Sequence, residues 1–373
     1  MKKSIFCVLS ICIISLQSCT DKVSGVAASK QKTITTNTKS NKGLREYSTF
    51  PIGGAINISN IMEDKKLKKI TSQEFSSITA TNDMKMYSIA SSQGSYNWTK
   101  VDALVAFTEQ NNQRLFGHAL VWHHGLPGWI KKRALKDNPW FKKFYKEYIQ
   151  TVVGRYKGKV AAWDVVNEAL ATEGKDGMRK TFFLEQLGPD YIADAFRFAH
   201  EADPDALLFY NDFNLERDTI KVNNAIALIE KLKTEGVPIH GIGLQTHLRM
   251  DIPDALIADA FKKFAATGLQ VHLSEVDIIF NKHNDTQNGG VQIFNELTEE
   301  MKTAQAEKYR SLAKLYKENI PAAQQFGITF WDFTDRDTWI NGFFNLNDWP
   351  TIYDKNLEPK PAYEGFRQGL LSK

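Results

Sequence analysis

Eight short apolar runs, each ending in polar residues, recur between residues 50 and 333. They are FPIGGAIN, EFSSITATND, RLFGHALVW, VAAWDVVNE, ALLFYNDF, HGIGLQTHL, QVHLSEVDI and GITFWDF. Longer amphipathic segments separate many of them, among them WTKVDALVAFTEQNN, NPWFKKFYKEYIQTVVGRY and GPDYIADAFRFAHEAD, then TIKVNNAIALIEKLKTEG, IPDALIADAFKKFAATG and AQAEKYRSLAKLYKENI. Glycine and proline mark junctions such as Gly188-Pro189 and Gly236-Val237-Pro238. Strands that alternate with helices build a parallel sheet, because each return crossing needs a helix. Eight such units in about 330 residues predict the α/β class and a single (β/α)8 TIM barrel over residues 44–373.

A barrel of this kind carries its site at the C-terminal ends of its strands. The polar ends of the runs therefore become candidates: Asn82 and Asp83, His118 and Trp122, Asn167 and Glu168, Asn211 and Asp212, Gln245 and His247, Glu275 and Asp277, Trp331 and Asp335. A doubly wound sheet would gather such residues at one switch point instead. Glu168 closes the fourth run and Glu275 lies near the end of the seventh, so a closed barrel sets them facing across its mouth. Two carboxylates across a cleft can hydrolyse a glycoside, one giving a proton to the leaving oxygen and the other acting ionised. A gap of about 5–5.5 Å would mean retention and about 6.5–9.5 Å inversion; the sequence leaves that distance open.

GHALVWHHGLPGW, WDVVNEA, NDFN, GIGLQTHL, LSEVDI and FWDFTDRDTW resemble, in order, the signatures of glycoside hydrolase family 10, retaining endo-β-1,4-xylanases on a (β/α)8 barrel. The resemblance implies Glu168 as acid/base and Glu275 as nucleophile. It places Asn82, Lys85, His118, Trp122, Asn167, Gln245, His247, Trp331 and Trp339 around the substrate. Asp164 and Asp277 stand behind them, and Asp277 fixes the tautomer of a His247 set between it and Glu275. Donors around Glu275 are expected to keep its pKa low. Glu168 is expected to be raised by apolar surroundings and a nearby negative charge.

Four positions depart from the family pattern. Thr81 stands where a Glu is usual, Met86 for Trp, Gly125 for Gln and Asp332 for Gly. The lost Glu and Gln are contacts to the sugar next to the cleaved one, on the non-reducing side. Three readings follow: a xylanase, the same retaining chemistry on a decorated xylan or another β-glycan, and a non-catalytic glycan-binding lipoprotein on a dead barrel. The polar loop NKHNDTQNGGVQIFNELTEE is expected to help shape the cleft.

The remaining features bound the partners. Lys2 and Lys3 precede the apolar IFCVLSICII, which reads as a signal peptide over 1–18, and the LQSC that follows resembles the lipobox of bacterial lipoproteins, which implies cleavage before Cys19 and its lipidation. The polar, lysine- and threonine-rich stretch to residue 43 reads as a flexible tether. This predicts export and lipid anchoring to a bacterial membrane, at the outer membrane or cell surface. All three cysteines lie at or before residue 19, so the mature chain offers no disulfide or thiolate metal site. The lysines of the first 43 residues more than account for the formal charge of +4, and the slightly acidic remainder gives no reason to expect nucleic acid. His118, His123 and His124 raise a metal site, but two adjacent residues of a strand point to opposite faces, and no metal or other cofactor is expected. GIGLQT lacks the third glycine of a dinucleotide fingerprint and reads as barrel packing. Trp129, Trp140 and Trp349 serve equally as sugar platforms or as packing. A monomer acting on xylan or a related β-linked polysaccharide is expected.

Overall fold

Each of the eight runs becomes a strand in the computed structural model, which describes residues 42–171 and 177–372. The strands are β1 (Ile52–Ile56), β2 (Ser77–Ala80), β3 (Arg114–Gly117), β4 (Val160–Asn167), β5 (Leu207–Asp212), β6 (Gly241–Leu244), β7 (Gln270–Ile279) and β8 (Gln325–Phe330). All neighbours are parallel, and β8 pairs with both β1 and β7, which closes the sheet. Val121–Trp122 extends the β3 end along β4, and His247–Arg249 extends the β6 end along β7. This is the (β/α)8 barrel that the alternation predicts.

The flanking helices are α1 (Lys65–Glu74), α2 (Thr99–Gln110), α3 (Asn138–Arg155), α4 (Tyr191–Ala202), α5 (Thr219–Thr234), α6 (Asp254–Ala266), α7 (Glu299–Asn319) and α8 (Pro361–Leu371). Side-chain caps start several of them. Asp64 accepts from the N–H groups of Lys66 and Leu67, and Asp218 from those of Ile220 and Lys221. α1 and α8 are absent from the sequence reading. The apolar face of α1 is thin, with Leu67 and Thr71 as its buried residues. In α8 Gly365 and Gly369 look like helix breakers. A Cβ at either would fall 2.0 Å from the Ala306 carbonyl oxygen or 2.4 Å from that of Arg310, so these glycines let α8 lie directly against α7.

Inside the barrel, Phe116, Phe209 and Phe326 pack edge-on or tilted at 4.5–5.7 Å. The buried His272 joins them, 4.8 Å from Phe116. This aromatic layer fills the interior, so the barrel is solid beneath its mouth. The glycines of GIGL make room for neighbouring side chains: a Cβ at Gly241 would meet Phe209 at 2.0 Å, and one at Gly243 would meet Asn211 at 2.2 Å. The barrel-packing reading of that motif holds, and Gly243 has a second consequence at the site.

Candidate active site

At the C-terminal ends of the strands lies a cleft of about 900 Å³. Of the predicted substrate-binding residues, Asn82, Lys85, Trp122, Gln245, His247, Trp331 and Trp339 line it, together with Glu168. His118, Asn167 and Glu275 lie just beneath, 2–5% exposed. Asp164 and Asp277 are fully buried.

The strand register brings the two glutamates into one network. Asn167 on β4 pairs in register with Asn211 on β5. The Nδ2 of Asn167 donates to Glu168 Oε1 at 3.3 Å, while its Oδ1 accepts from Asn211 Nδ2 at 3.0 Å and Gln245 Nε2 at 3.1 Å. Asn211 Nδ2 also donates to Glu275 Oε1 at 2.8 Å, and Gln245 Nε2 to Glu168 Oε1 at 3.2 Å. Side-chain amides thus run from one carboxylate to the other. Ser274 Oγ donates to Asn211 Oδ1 at 2.7 Å and fixes its flip. Gly243 supplies the room in which Asn211 turns.

The histidines are held from behind. His247 sits between Glu275 Oε2 (3.4 Å from Nε2) and Asp277 Oδ2 (2.9 Å from Nδ1), and the Trp339 indole N–H donates to the same Asp277 oxygen at 2.9 Å. His118 Nδ1 meets Asp164 Oδ2 at 2.7 Å, and its ring packs edge-on against Trp331. Lys85 places its ammonium 4.5 Å from the centre of the Trp122 ring and 5.5 Å from that of Trp331. It donates to Asn82 Oδ1 at 3.3 Å, and Tyr87 donates to the same oxygen at 2.6 Å.

The charges differentiate the pair. Burial raises Glu275, but His118, His247 and Lys85 outweigh it and hold the carboxyl below the ordinary range. Burial lowers His247, yet Asp277 and Glu275 more than reverse this and keep the imidazole protonated. Glu168 differs from the expectation. Burial raises it, but His123, the Trp122 indole, Arg179 and Gln245 together bring it below the usual value. Its neighbours are cationic groups and donors rather than the apolar, negatively charged setting predicted. The largest of these pulls is conditional. Burial holds His123 itself down to about 4, so above that pH the ring is neutral and its hold on Glu168 is gone. What remains is burial set against Arg179 and neutral donors.

His123 and His124 do not point to opposite faces. The strand ends at Trp122, the chain turns, and the two rings lie 4.1 Å apart. Even so, no group of three or more His, Cys, Asp or Glu side chains able to hold a metal occurs among the described residues. Trp129 and Trp140 belong to packing outside the cleft, Trp129 edge-on to Phe144 and Trp140 stacked on it, and Trp349 is also outside the lining. The long loop does reach the cleft: a short antiparallel pair, Lys282–His283 with Gly290–Val291, carries His283, Asp285, Thr286 and Gln287 to its wall.

Two residues at the site escaped the sequence reading of roles. Asn211 was visible only as a polar strand end; its register opposite Asn167 is the signal that would have placed it. Arg179 lines the cleft with its Nε and Nη2 buried and, among the described residues, unpartnered. Of the four departures, Thr81 and Asp332 line the cleft, whereas Met86 is a buried core residue and Gly125 is outside the lining. Thr81 Oγ1 donates back to the Ile56 carbonyl at 3.3 Å.

The sequence model described as Glycosyl hydrolase family 10 matches residues 41–368. The chain is 37% identical over 354 residues to Endo-1,4-beta-xylanase A of Cellvibrio japonicus, covering 88% of this chain and 56% of that protein. It is 38% identical over 325 residues to Beta-1,4-xylanase of Dictyoglomus thermophilum, covering 84% and 86%. The chain thus spans little more than half of the first relative and most of the second. Among solved structures, a mutant of Xylanase10C from Cellvibrio japonicus in complex with xylopentaose superposes with a TM-score of 0.82 at 32% identity, over 88% of this chain and 69% of that one.

Proposed function

The chain belongs to glycosyl hydrolase family 10, and on that footing we propose that it is an endo-β-1,4-xylanase that cuts the xylan backbone with retention. The carrying observation is the pair of glutamates in one amide network with unlike surroundings. Glu275, held ionised by His118, His247 and Lys85, is suited to attack the anomeric carbon. Glu168, on the open side, gives its proton to the leaving oxygen as the glycosyl ester forms. It then takes a proton from the water that attacks the ester and frees Glu275. The xylopentaose complex of a relative supports a β-1,4-xylan chain as the ligand. Residues 42–373 offered a panel of purified polysaccharides should release reducing ends from xylans. Release from none of them would leave a non-catalytic binding protein.

Thr81 favours a second reading, in which decorated xylan is tolerated comparatively well. The Thr81 hydroxyl donates back to the Ile56 carbonyl, and its side chain is shorter than the Glu usual there. Thr81→Glu is expected to raise activity on linear relative to branched xylo-oligosaccharides by roughly 2–10-fold, the worth of one hydrogen bond. An unchanged ratio removes this reading. Gly125→Gln is a poorer probe, since its Cβ would stand 3.2 Å from the Trp122 carbonyl oxygen.

The export reading rests on LQSC and on Cys19, which lies outside the described residues. No helix among the described residues is long and apolar enough to cross a membrane. Cys19→Ala should move the protein out of the membrane fraction or block its processing, with specific activity retained in residues 43–373. Continued partition as a lipid-modified species would place the anchor elsewhere.

A further inference from the structure

We propose that Phe343 is a sugar-binding platform of the cleft: its ring stacks on a xylose of the chain on the reducing side of the cleaved bond, and so helps to decide where along xylan the cut falls. The proposal rests on the xylanase reading above and adds a contact to it.

Packing places the ring. Phe343 belongs to the short helix Trp339–Phe344 that follows β8, and it lines the cleft. Its ring centre lies 5.3 Å from that of Trp339, whose own ring is 4.9 Å from His247. Two ring contacts therefore lead from the histidine beside Glu275 to Phe343. Phe344 packs edge-on against Phe343 at 4.9 Å, and the Asn288 N–H donates to the Phe343 carbonyl oxygen at 2.8 Å. The ring is held in place by the protein itself, so a ligand has little ordering to impose.

The same packing fixes the side. Phe344 stacks on His283 at 4.1 Å, His283 Nδ1 lies 3.0 Å from Asp285 Oδ1, and Asn214 Nδ2 donates to Asp285 Oδ2 at 3.0 Å. One wall of the cleft thus runs from Phe343 across the antiparallel pair after β7 to the end of β5. Glu168 on β4 and Glu275 on β7 divide the ring of strands into two arcs, β5 and β6 in one, β8, β1, β2 and β3 in the other. Thr81 and Lys85 follow β2 and, by the family resemblance, serve the sugars on the non-reducing side. The wall that carries Phe343 closes on the opposite arc, where the departing part of the chain lies.

Exposure supplies the third observation. Phe343 is 37% exposed, whereas its helix neighbours Ile340 and Phe344 are buried. Trp339 and Phe344 use only part of the ring. A xylose presents C–H groups on its faces and hydroxyls at its edge. An aromatic surface left open on a cleft wall gives such a face an apolar partner. Gln287, exposed beside Asn288 and also lining the cleft, brings an amide suited to the hydroxyls at the edge.

The test compares kcat/KM on xylohexaose, which extends past the cleaved bond, with that on an aryl β-xylobioside, whose leaving group is a phenol rather than a sugar. Phe343→Ala should lower the xylohexaose-to-xylobioside ratio about tenfold. Phe343→Leu keeps apolar bulk against Trp339 and Phe344 but has no flat face, so it should lower the ratio as well, whereas Phe343→Trp should stay within about threefold of wild type. Xylopentaose isotopically labelled at its reducing end reads the same contact as a position. The labelled products of Phe343→Ala should shift to shorter fragments, because fewer sugars are held beyond the cleaved bond. An unchanged ratio in Phe343→Ala, equal losses on both substrates, or an unchanged pattern of labelled fragments would overturn the assignment while leaving the xylanase reading intact. If the wild-type protein cleaved neither substrate, the xylanase reading would fall and this one with it.

Discussion

Glu275→Gln is expected to lose at least about four orders of magnitude in kcat on xylan while keeping its fold and its affinity for xylo-oligosaccharides. The amide has nearly the shape of the carboxylate, so Asn211 and His247 keep a partner in place. What disappears is the nucleophile, because an amide cannot form the glycosyl ester. The variant also removes the negative charge that helps hold His247 protonated. The checks are steady-state kinetics and binding by calorimetry. Residual turnover above about 1% of wild type would move the nucleophile elsewhere.

Glu168→Ala is expected to separate substrates by leaving group. Xylan, whose departing hydroxyl needs a proton, should lose about 10²–10⁴-fold, the usual worth of general acid–base help. An aryl xylobioside with an acidic phenol needs little protonation, so its glycosyl ester should still form. The second step then becomes slow, because water lacks its base. Azide needs none and should restore turnover, with the β-glycosyl azide as product, so the anomeric configuration reports retention directly. Equal losses on both substrates and no azide product would remove Glu168 from the acid/base role. Asn167 and Gln245 lose an acceptor in this variant but stay joined to each other.

What the sequence disclosed and what it withheld divide along physical lines. The eight strands were legible because a barrel strand buried on both faces is an unbroken apolar run, and because polar residues at its end have no packing role. Glu168 and Glu275 stood out for that reason. Less legible were features that depend on two segments meeting. Asn211 becomes a partner of Glu275 only through its register beside Asn167 and the space left by Gly243. The adjacent rings of His123 and His124 follow from a strand that stops at Trp122 rather than continuing with alternate faces. The downward pulls on Glu168 come from two loops, from His123 while it is protonated and Trp122 after β3, and from Arg179 after β4. The left-handed backbone at Glu168, φ 60°, has no sequence signal at all, since the residue is neither Gly, Asn nor Asp.

The amide relay between the carboxylates is built on β4, β5 and β6, whose backbones are locked by register, whereas Asp285, Thr286 and Gln287 reach the cleft from a long loop. Loops open at lower free energy than barrel strands. On warming, the outer cleft should therefore loosen while the reacting centre still holds its geometry. Near its thermal limit such a protein would grow less selective about the chain it grips before it stopped cutting. The pattern of fragment lengths would act as an earlier thermometer of its unfolding than the rate.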